Sequence, residues 1–378
     1  MLILVSLVYF KKQSHHFNMQ EIIFTSPINS LSFGNVSYNF LKQFYKLGVK
    51  VHFFPMGKDL DFSAFDKIDD DFKDWVKSSY QERFMGIKKD IPHLKMWHIN
   101  SSESSITGNN FLYTFHELSE PTDNEISICN LHKGTIFSSS YSKHIFSGHL
   151  DNCYSCPIGF DEDFFETDKQ YLKNKIHFGL MGKFEKRKHT HQIISNWVER
   201  FGDDTDYQLT CCVNNPFLSE DDNYNLILNA LGNKRYKNVN ILPKLKTNSE
   251  VNELMNSFDV DLTGLSGAEG WNLPSFNSTC LGKWSIVLDC TSHKDWANED
   301  NSILVEPEGS TECYDGIFFK KDSSYNHGSI YTFSKESFNK AIDKALDRIK
   351  SKNENGRMLK DRFSYQSTIN KIIDIIHK

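Results

Sequence analysis

An apolar run over 260–265 leads into the turn Ser266-Gly267-Ala268-Glu269-Gly270-Trp271-Asn272-Leu273-Pro274. A short helical segment over 275–281, Gly282 and a second apolar run over 284–288 follow. Two apolar strands joined by one helix require a crossover, which is the signature of parallel β-structure buried on both faces. The order strand, turn, helix, strand therefore restricts the chain to an α/β fold. It also places an acidic residue, Glu269, where a parallel strand ends and a helix begins. Gly270 lets the backbone approach a ligand closely, and the unpaired N–H groups of the helix start suit an anion. A carboxylate that accepts hydroxyl hydrogen bonds beside amides that hold phosphate fits a sugar nucleotide. An ordinary strand–turn–helix with a surface glutamate is the competing reading of this stretch taken alone.

The same alternation recurs along the chain. Ile22 to Thr25 reads as a strand, 27–34 as a polar loop ending at Gly34, and Val36, Phe40, Leu41, Phe44 and Leu47 mark one face of a helix stopped by Gly48. Strands follow at 49–53, at 111–115 with His116 at its end, and at 135–137. Ser138-Ser139-Ser140 offers helix caps after the last of these. The polar and acidic stretches 59–74 and 100–105 read as solvated excursions. A second series begins near residue 176. It has a strand over 177–180, a basic loop over 181–188, a helix over 192–201, strands over 207–213 and 239–242, and a helix opened by the capping box Thr247-Asn248-Ser249-Glu250. The expected organisation is a Rossmann-like domain over 19–165 and a second over 172–355. A last helix over 363–378, with Ile369, Ile372, Ile373 and Ile376 on one face, is expected to pack back on the first.

Composition narrows the partners. The chain has 378 residues, 24% charged and 39% hydrophobic, with net charge −6. The first 170 residues carry 16 Lys/Arg against 21 Asp/Glu, which argues against a basic nucleic-acid platform. The eight cysteines contain a single C-x-x-C pair, Cys153 and Cys156, and read as reduced, mostly buried thiols of a cytoplasmic protein rather than a zinc site. Residues 1–10 are apolar and precede Lys11 and Lys12, too short a run to span a bilayer. They read as an over-extended start before Met19, with a peripheral membrane contact left open.

The loop Gly182-Lys183-Phe184-Glu185-Lys186-Arg187-Lys188 places several cations just before a helix. Cations there oppose the helix dipole at about 0.3–1 kcal/mol each, so a bound diphosphate would offset the cost. A solvated basic turn is the alternative, and it is the reading given to Lys186 and Arg187.

Taken together these residues resemble the retaining glycosyltransferases of the GT-B fold, in particular glycosyltransferase family four. The family run E-G-[FW]-G-L-P-x-x-E is matched by Glu269-Gly270-Trp271-Asn272-Leu273-Pro274-Ser275-Phe276-Asn277, and G-[RK]-x-x-x-x-K by Gly182, Lys183 and Lys188. The lead-in P-x-G-[VF]-D-x-x-x-F appears over 157–165, and 138–143 is similar to a serine-rich run of the first domain. The resemblance covers most of the chain from Met19 onward. It implies two Rossmann-like doubly wound domains facing a cleft, with the acceptor on the first and the nucleotide on the second. It further implies that Lys183 and Lys188 hold the donor diphosphate, that Glu269 contacts the donor sugar, and that His116 lies near the reacting carbon. The backbone over 270–273 would approach the donor, and Gly34 would let its loop close on the phosphate.

Two positions depart from the pattern. Asn277 replaces the glutamate that grips the ribose, and Asn272 replaces a glycine. The function implied is transfer of a sugar from a nucleotide-diphosphate sugar to a hydroxyl of a glycan or lipid-linked saccharide, with no cofactor and no metal. Asp161-Glu162-Asp163 reads as an incidental match to a metal motif. A phage-type DNA glycosyltransferase acting on hydroxymethylated bases stands as an alternative that the charge does not favour. A non-catalytic sugar-nucleotide-binding module is a third reading, prompted by Asn277.

Overall fold

The computed structural model describes residues 20–57 and 60–378. The apolar run 1–10, Lys11, Lys12, the start assigned to Met19 and the first residue of the 59–74 stretch lie outside the described residues. The first half alternates β1 (Glu21–Ser26), α1 (Ser32–Lys46), β2 (Lys50–Pro55), α2 (Asp70–Gln81), β3 (His93–Met96), β4 (Asn110–Thr114), α3 (Asp123–Cys129), β5 (Gly134–Phe137), α4 (Ser140–Phe146) and β6 (Cys153–Ser155). Its strands form one parallel sheet ordered β2-β1-β3-β4-β5-β6. Val36, Phe40, Leu41 and Phe44 of α1 are fully buried. The Phe24 ring of β1 stacks on Phe53 and meets Phe44 edge-on, so the helical and strand periodicities bury one shared face.

The acidic stretch expected to be solvated is partly helical. Asp69 caps α2 by accepting from the Phe72 amide at 3.0 Å, Asp70 and Asp71 sit in the first turn, and Phe72 and Val76 are buried. Carboxylates favour a helix start, so the charge run marks an element boundary as well as a wet surface. The 100–105 stretch is likewise not wholly solvated. Ser102 is buried, and the buried Lys95 ammonium donates to the Ser102 carbonyl at 3.2 Å.

The second half carries β7 (Ile176–Met181), α5 (Thr190–Phe201), β8 (Tyr207–Cys212), α6 (Glu220–Ala230), β9 (Val239–Ile241), α7 (Asn248–Ser257), β10 (Val260–Asp261), α8 (Leu273–Cys280), β11 (Trp284–Leu288) and β12 (Ile303–Val305). These strands form a second parallel sheet, ordered β12-β11-β10-β7-β8-β9. An antiparallel hairpin, β13 (Gly309–Glu312) and β14 (Ser329–Thr332), precedes α9 (Lys335–Arg348), the one-turn helices α10 (Glu354–Arg357) and α11 (Leu359–Arg362), and α12 (Tyr365–Ile376). β10 is shorter than the apolar run suggested. After Asp261 the chain turns through a 3₁₀ helix at Thr263–Leu265, with the Thr263 amide on the Asp261 carboxylate at 3.2 Å. The capping box at Thr247 and Glu250 forms. Ile369, Ile372, Ile373 and Ile376 of α12 join the core of the first sheet.

Residues 157–165 carry the chain between the sheets. Here the Asp-Glu-Asp run is tied to α1: Asn39 donates to Asp161 at 3.0 Å, Lys46 pairs with Glu162 at 2.5 Å and Lys42 with Asp163 at 3.0 Å. Among the described residues no group of three or more His, Cys, Asp or Glu is placed to hold a metal ion. Burial, with Asp163 alongside, pushes Asp161 up to about 6. A carboxyl whose pKa is higher folded than unfolded binds more protons when folded between those two values. Stability is therefore expected to fall as pH rises from about 4 to about 6, and Asp161→Asn is expected to flatten that part of a melting-temperature profile. An unchanged slope would show that other groups set it.

All eight cysteines are free; Cys153 and Cys212 are half-buried and the rest are buried. Among the described residues no helix is long and apolar enough to cross a membrane.

Candidate functional site

The carboxyl ends of both sheets open on one cleft, the position at which parallel α/β sheets bind ligands. Phe33, His98, Phe115 and Glu117 line it from the first sheet, and Lys183, Lys188 and Glu269 from the second. Both rims are tied across the cleft. Ser138 donates to the Gly270 carbonyl at 2.7 Å and the Ser140 amide to Asp295 at 2.7 Å, while opposite them Lys244 reaches Ser30 at 2.8 Å.

The two loops singled out by their charges meet in one ionic cluster. Lys188 Nζ lies 2.5 Å from Glu269 Oε1, and Arg187 Nη1 lies 2.9 Å from Oε2. Arg187 Nη2 lies 3.1 Å from Glu185 Oε2, and Lys183 Nζ is 2.8 Å from Glu185 Oε1 and over the Phe318 ring. Burial alone would raise the pKa of Glu269, but Arg187 and then Lys188 overcome it and hold the carboxyl far below its ordinary range. Burial would likewise raise Glu185, and Arg187, Lys183 and Lys188 bring it down. Three cations thus face Glu269, Glu185 and Glu117, a balance a diphosphate would tip towards negative charge.

The turn over 266–274 is held from beneath. Asn272 takes a left-handed conformation, φ 68°, as the residue before α8. Asparagine is, after glycine, the residue best suited to that region, which accounts for its standing where the pattern has glycine. Its amide donates to the Thr263 carbonyl at 3.0 Å and meets His293 Nε2 at 2.9 Å. His293 Nδ1 faces the Leu288 carbonyl at 2.8 Å and must carry the hydrogen, leaving Nε2 as the acceptor. Pro274 stands in the first turn of α8, whose start opens on the cleft with the Leu273 and Ser275 amides outside the helical ladder.

Other expected residues are placed differently. Gly34 belongs to the first turn of α1, not to the loop, and a Cβ there would lie 2.2 Å from the Asn29 carbonyl oxygen, so it makes room for the loop to fold over the helix start. Gly270 sits where the turn abuts the first sheet, since its Cβ would come within 2.9 Å of Phe115 Cβ. Gly182, at φ 113°, faces the Lys188 side chain. Trp271 is buried among Phe276 and Phe363 rather than presented to solvent. His116 is buried with its ring against Phe146, and Asn277 is buried on α8, one turn beyond Leu273. His116 Nε2, Trp271 Nε1, Asn272 Oδ1 and Asn277 Oδ1 have no hydrogen-bond partner among the described residues. Buried groups without partners are few in folded proteins; Trp271 and Asn272 line this cleft, whereas His116 and Asn277 lie behind its lining residues.

Arg187, assigned to a solvated turn, is 5% exposed and central to the cluster. Glu185, which Lys183 also meets, does not single it out from its neighbours in the loop, and its other partners Glu269 and Glu117 lie far along the chain. Lys186 is exposed, as that reading supposes, and donates to the Glu312 carbonyl at 2.8 Å. His98 presents an exposed edge to the cleft beside Phe33, whose ring stacks on Phe115 at 4.2 Å. Desolvation by the cleft walls lowers the His98 pKa; Glu117 opposes that and Lys183 adds to it. His98 escaped the sequence reading because β3, which delivers it, carries His93 and Lys95 and lacks a strand's apolar pattern.

No family model matches the sequence, and no curated protein matches it. Solved structures do. Sucrose-phosphate synthase from Thermosynechococcus elongatus is 12% identical, with TM-score 0.63, over 95% of this chain and 98% of that one. HepE from Anabaena, solved in complex with UDP-glucose, is 13% identical, with TM-score 0.62, over 94% and 99%. A glycosyltransferase from Rickettsia africae is 11% identical, with TM-score 0.62, over 95% and 98%. The likeness spans both sheets, and with two parallel six-stranded sheets facing one cleft the chain has the α/β GT-B fold.

Proposed function

We propose that the chain is a retaining glycosyltransferase that moves a sugar from a nucleotide-diphosphate sugar to a hydroxyl of a glycan or lipid-linked saccharide. The observation that carries this reading is the cluster in which the half-buried Lys183 and Lys188 and the buried Glu269 share one cleft at the starts of α5 and α8. In this reading the diphosphate lies against Lys183, Lys188 and the α8 amides, and Glu269 accepts from the donor sugar's hydroxyls. The bond from C1 to the leaving phosphate oxygen breaks, its electron pair departs with the nucleotide, and the acceptor oxygen bonds C1 on the same face. The acceptor proton passes to the departing phosphate. Lys183 and Lys188 stabilise the charge that develops there, so no metal and no cofactor is invoked.

HepE, with this fold, binds UDP-glucose, which supports a nucleotide sugar as ligand. The acidic first half supports a saccharide acceptor over DNA, because duplex DNA calls for a cationic groove. A thermal-shift screen with UDP-glucose, ADP-glucose, GDP-mannose and dTDP-glucose tests the reading, since a ligand of the native state raises its melting temperature. No shift with any of them would remove it. Asn277 favours one second reading, a binder without turnover. Slow release of nucleotide from the stabilising donor in the absence of acceptor would exclude that.

Asn277→Glu restores the carboxylate of the family pattern at a buried position whose amide oxygen has no hydrogen-bond partner among the described residues. It is expected to lower the melting temperature of the free protein and to enlarge the shift produced by the donor, because a ribose would supply the missing partners. A smaller donor shift in the variant would show that this site is shaped for the amide.

A further inference from the structure

We propose that Arg187 is a positioning residue that keeps the Glu269 carboxylate fixed while Lys188 changes partners from Glu269 to the donor phosphate. The proposal rests on the nucleotide-sugar reading of the cleft and assigns a part to a residue that reading does not use. The two cations on Glu269 are held unequally. Lys188 meets Oε1 alone, at 2.5 Å, through a flexible stem. Arg187 meets Oε2 at 2.9 Å, donates to the neighbouring Ala268 carbonyl, and spends its other terminal nitrogen on Glu185 at 3.1 Å, with Glu117 at 4.0 Å. Withdrawing the guanidinium would leave Glu269 and Glu185 buried without it, whereas withdrawing the ammonium leaves Glu269 still paired.

An arriving diphosphate therefore attracts Lys188 first. Glu269 Oε1 is then free for a sugar hydroxyl, in a plane still set by Oε2 and Arg187. The planar fork bridges two carboxylates, Glu185 on the loop after β7 and Glu269 on the loop after β10, and a lysine, as a point charge, cannot bridge the same pair.

Arg187→Gln leaves two buried carboxylates without that partner and is expected to lose folding stability, so Arg187→Lys is the informative variant. The probes are whichever of UDP-glucose, ADP-glucose, GDP-mannose and dTDP-glucose stabilises the wild type most, and its free nucleoside diphosphate. Calorimetric Kd values for Arg187→Lys are expected to stay within about twofold for the nucleoside diphosphate and to weaken about tenfold for the nucleotide sugar. A second variant, Glu185→Gln, frees one arm of the fork and is expected to lower the sugar's advantage about threefold. A folded Arg187→Lys that keeps the full preference for the nucleotide sugar overturns the proposal. If Arg187→Lys does not fold, an unchanged preference in Glu185→Gln overturns it. If none of the four compounds stabilises the wild type, the nucleotide-sugar reading itself falls and this part with it.

Discussion

Lys188→Ala is expected to lower turnover about 100-fold while leaving the melting temperature close to that of the wild type. The two halves of that expectation have separate origins. Turnover depends on the leaving phosphate being stabilised as its bond to carbon breaks, and a preorganised cation acts there in a partly desolvated site, where charge counts for more than in water. Stability depends on what the free protein loses. The Lys188 side chain retains 13% exposure and has Glu269 as its ionic partner, while Glu269 keeps Arg187 on its other oxygen. No buried charge is left alone. Steady-state kinetics with saturating donor, beside thermal melts, check both halves. Unchanged kcat would remove Lys188 from the reacting centre, and a collapse of stability would make it a structural lysine instead. Lys183→Ala is a weaker probe, because that ammonium already lies against Glu185 and Phe318.

What the sequence made legible was set by how local each signal is. The crossover at 260–288, the face of α1 and the Thr247 capping box each depend on residues a few positions apart, and each forms, except that Leu47, expected on that face, is the exposed C-cap of α1. β3 went unseen because it buries His93 and Lys95, whose polar atoms are satisfied by Ser105 and by the carbonyls of a loop folded over them. That compensation is tertiary and leaves no periodic trace. α6 begins Glu220-Asp221-Asp222, acids that suit a helix's first turn but hide its apolar positions from a hydrophobic pattern. The site divides in the same way. Motif spacing led to Lys183, Lys188 and Glu269, which line one cleft. The choice of which cation is buried, Arg187 and not Lys186, is made with Glu269 and Glu117, carboxylates on other loops. His116 and His98 both follow strands, yet one ring is packed against Phe146 while the other borders the cleft.

Trp271→Ala is expected to cost about 3–5 kcal/mol of stability, on the order of 10 °C in melting temperature, and to lower activity as a consequence. The indole is 3% exposed and meets Phe276 and Phe363 edge-on at 5.3 and 5.4 Å. Its carbonyl accepts from Trp296 Nε1 at 3.2 Å, so the same residue pins the turn by side chain and by backbone. Removing the ring opens a cavity beneath α8 and loosens the segment that carries Glu269 two residues earlier. The family pattern, which accepts Phe or Trp here, is compatible with either a packing role or direct contact with the donor, and Trp271→Phe separates them. If the ring acts by packing, phenylalanine restores most of the melting temperature and most of kcat, and the Kd of the stabilising nucleotide sugar stays near the wild-type value. If the ring touches the donor, the affinity falls although the protein melts normally. The buried edge-on packing leads us to expect the first outcome, and a selective loss of affinity in Trp271→Phe would overturn it.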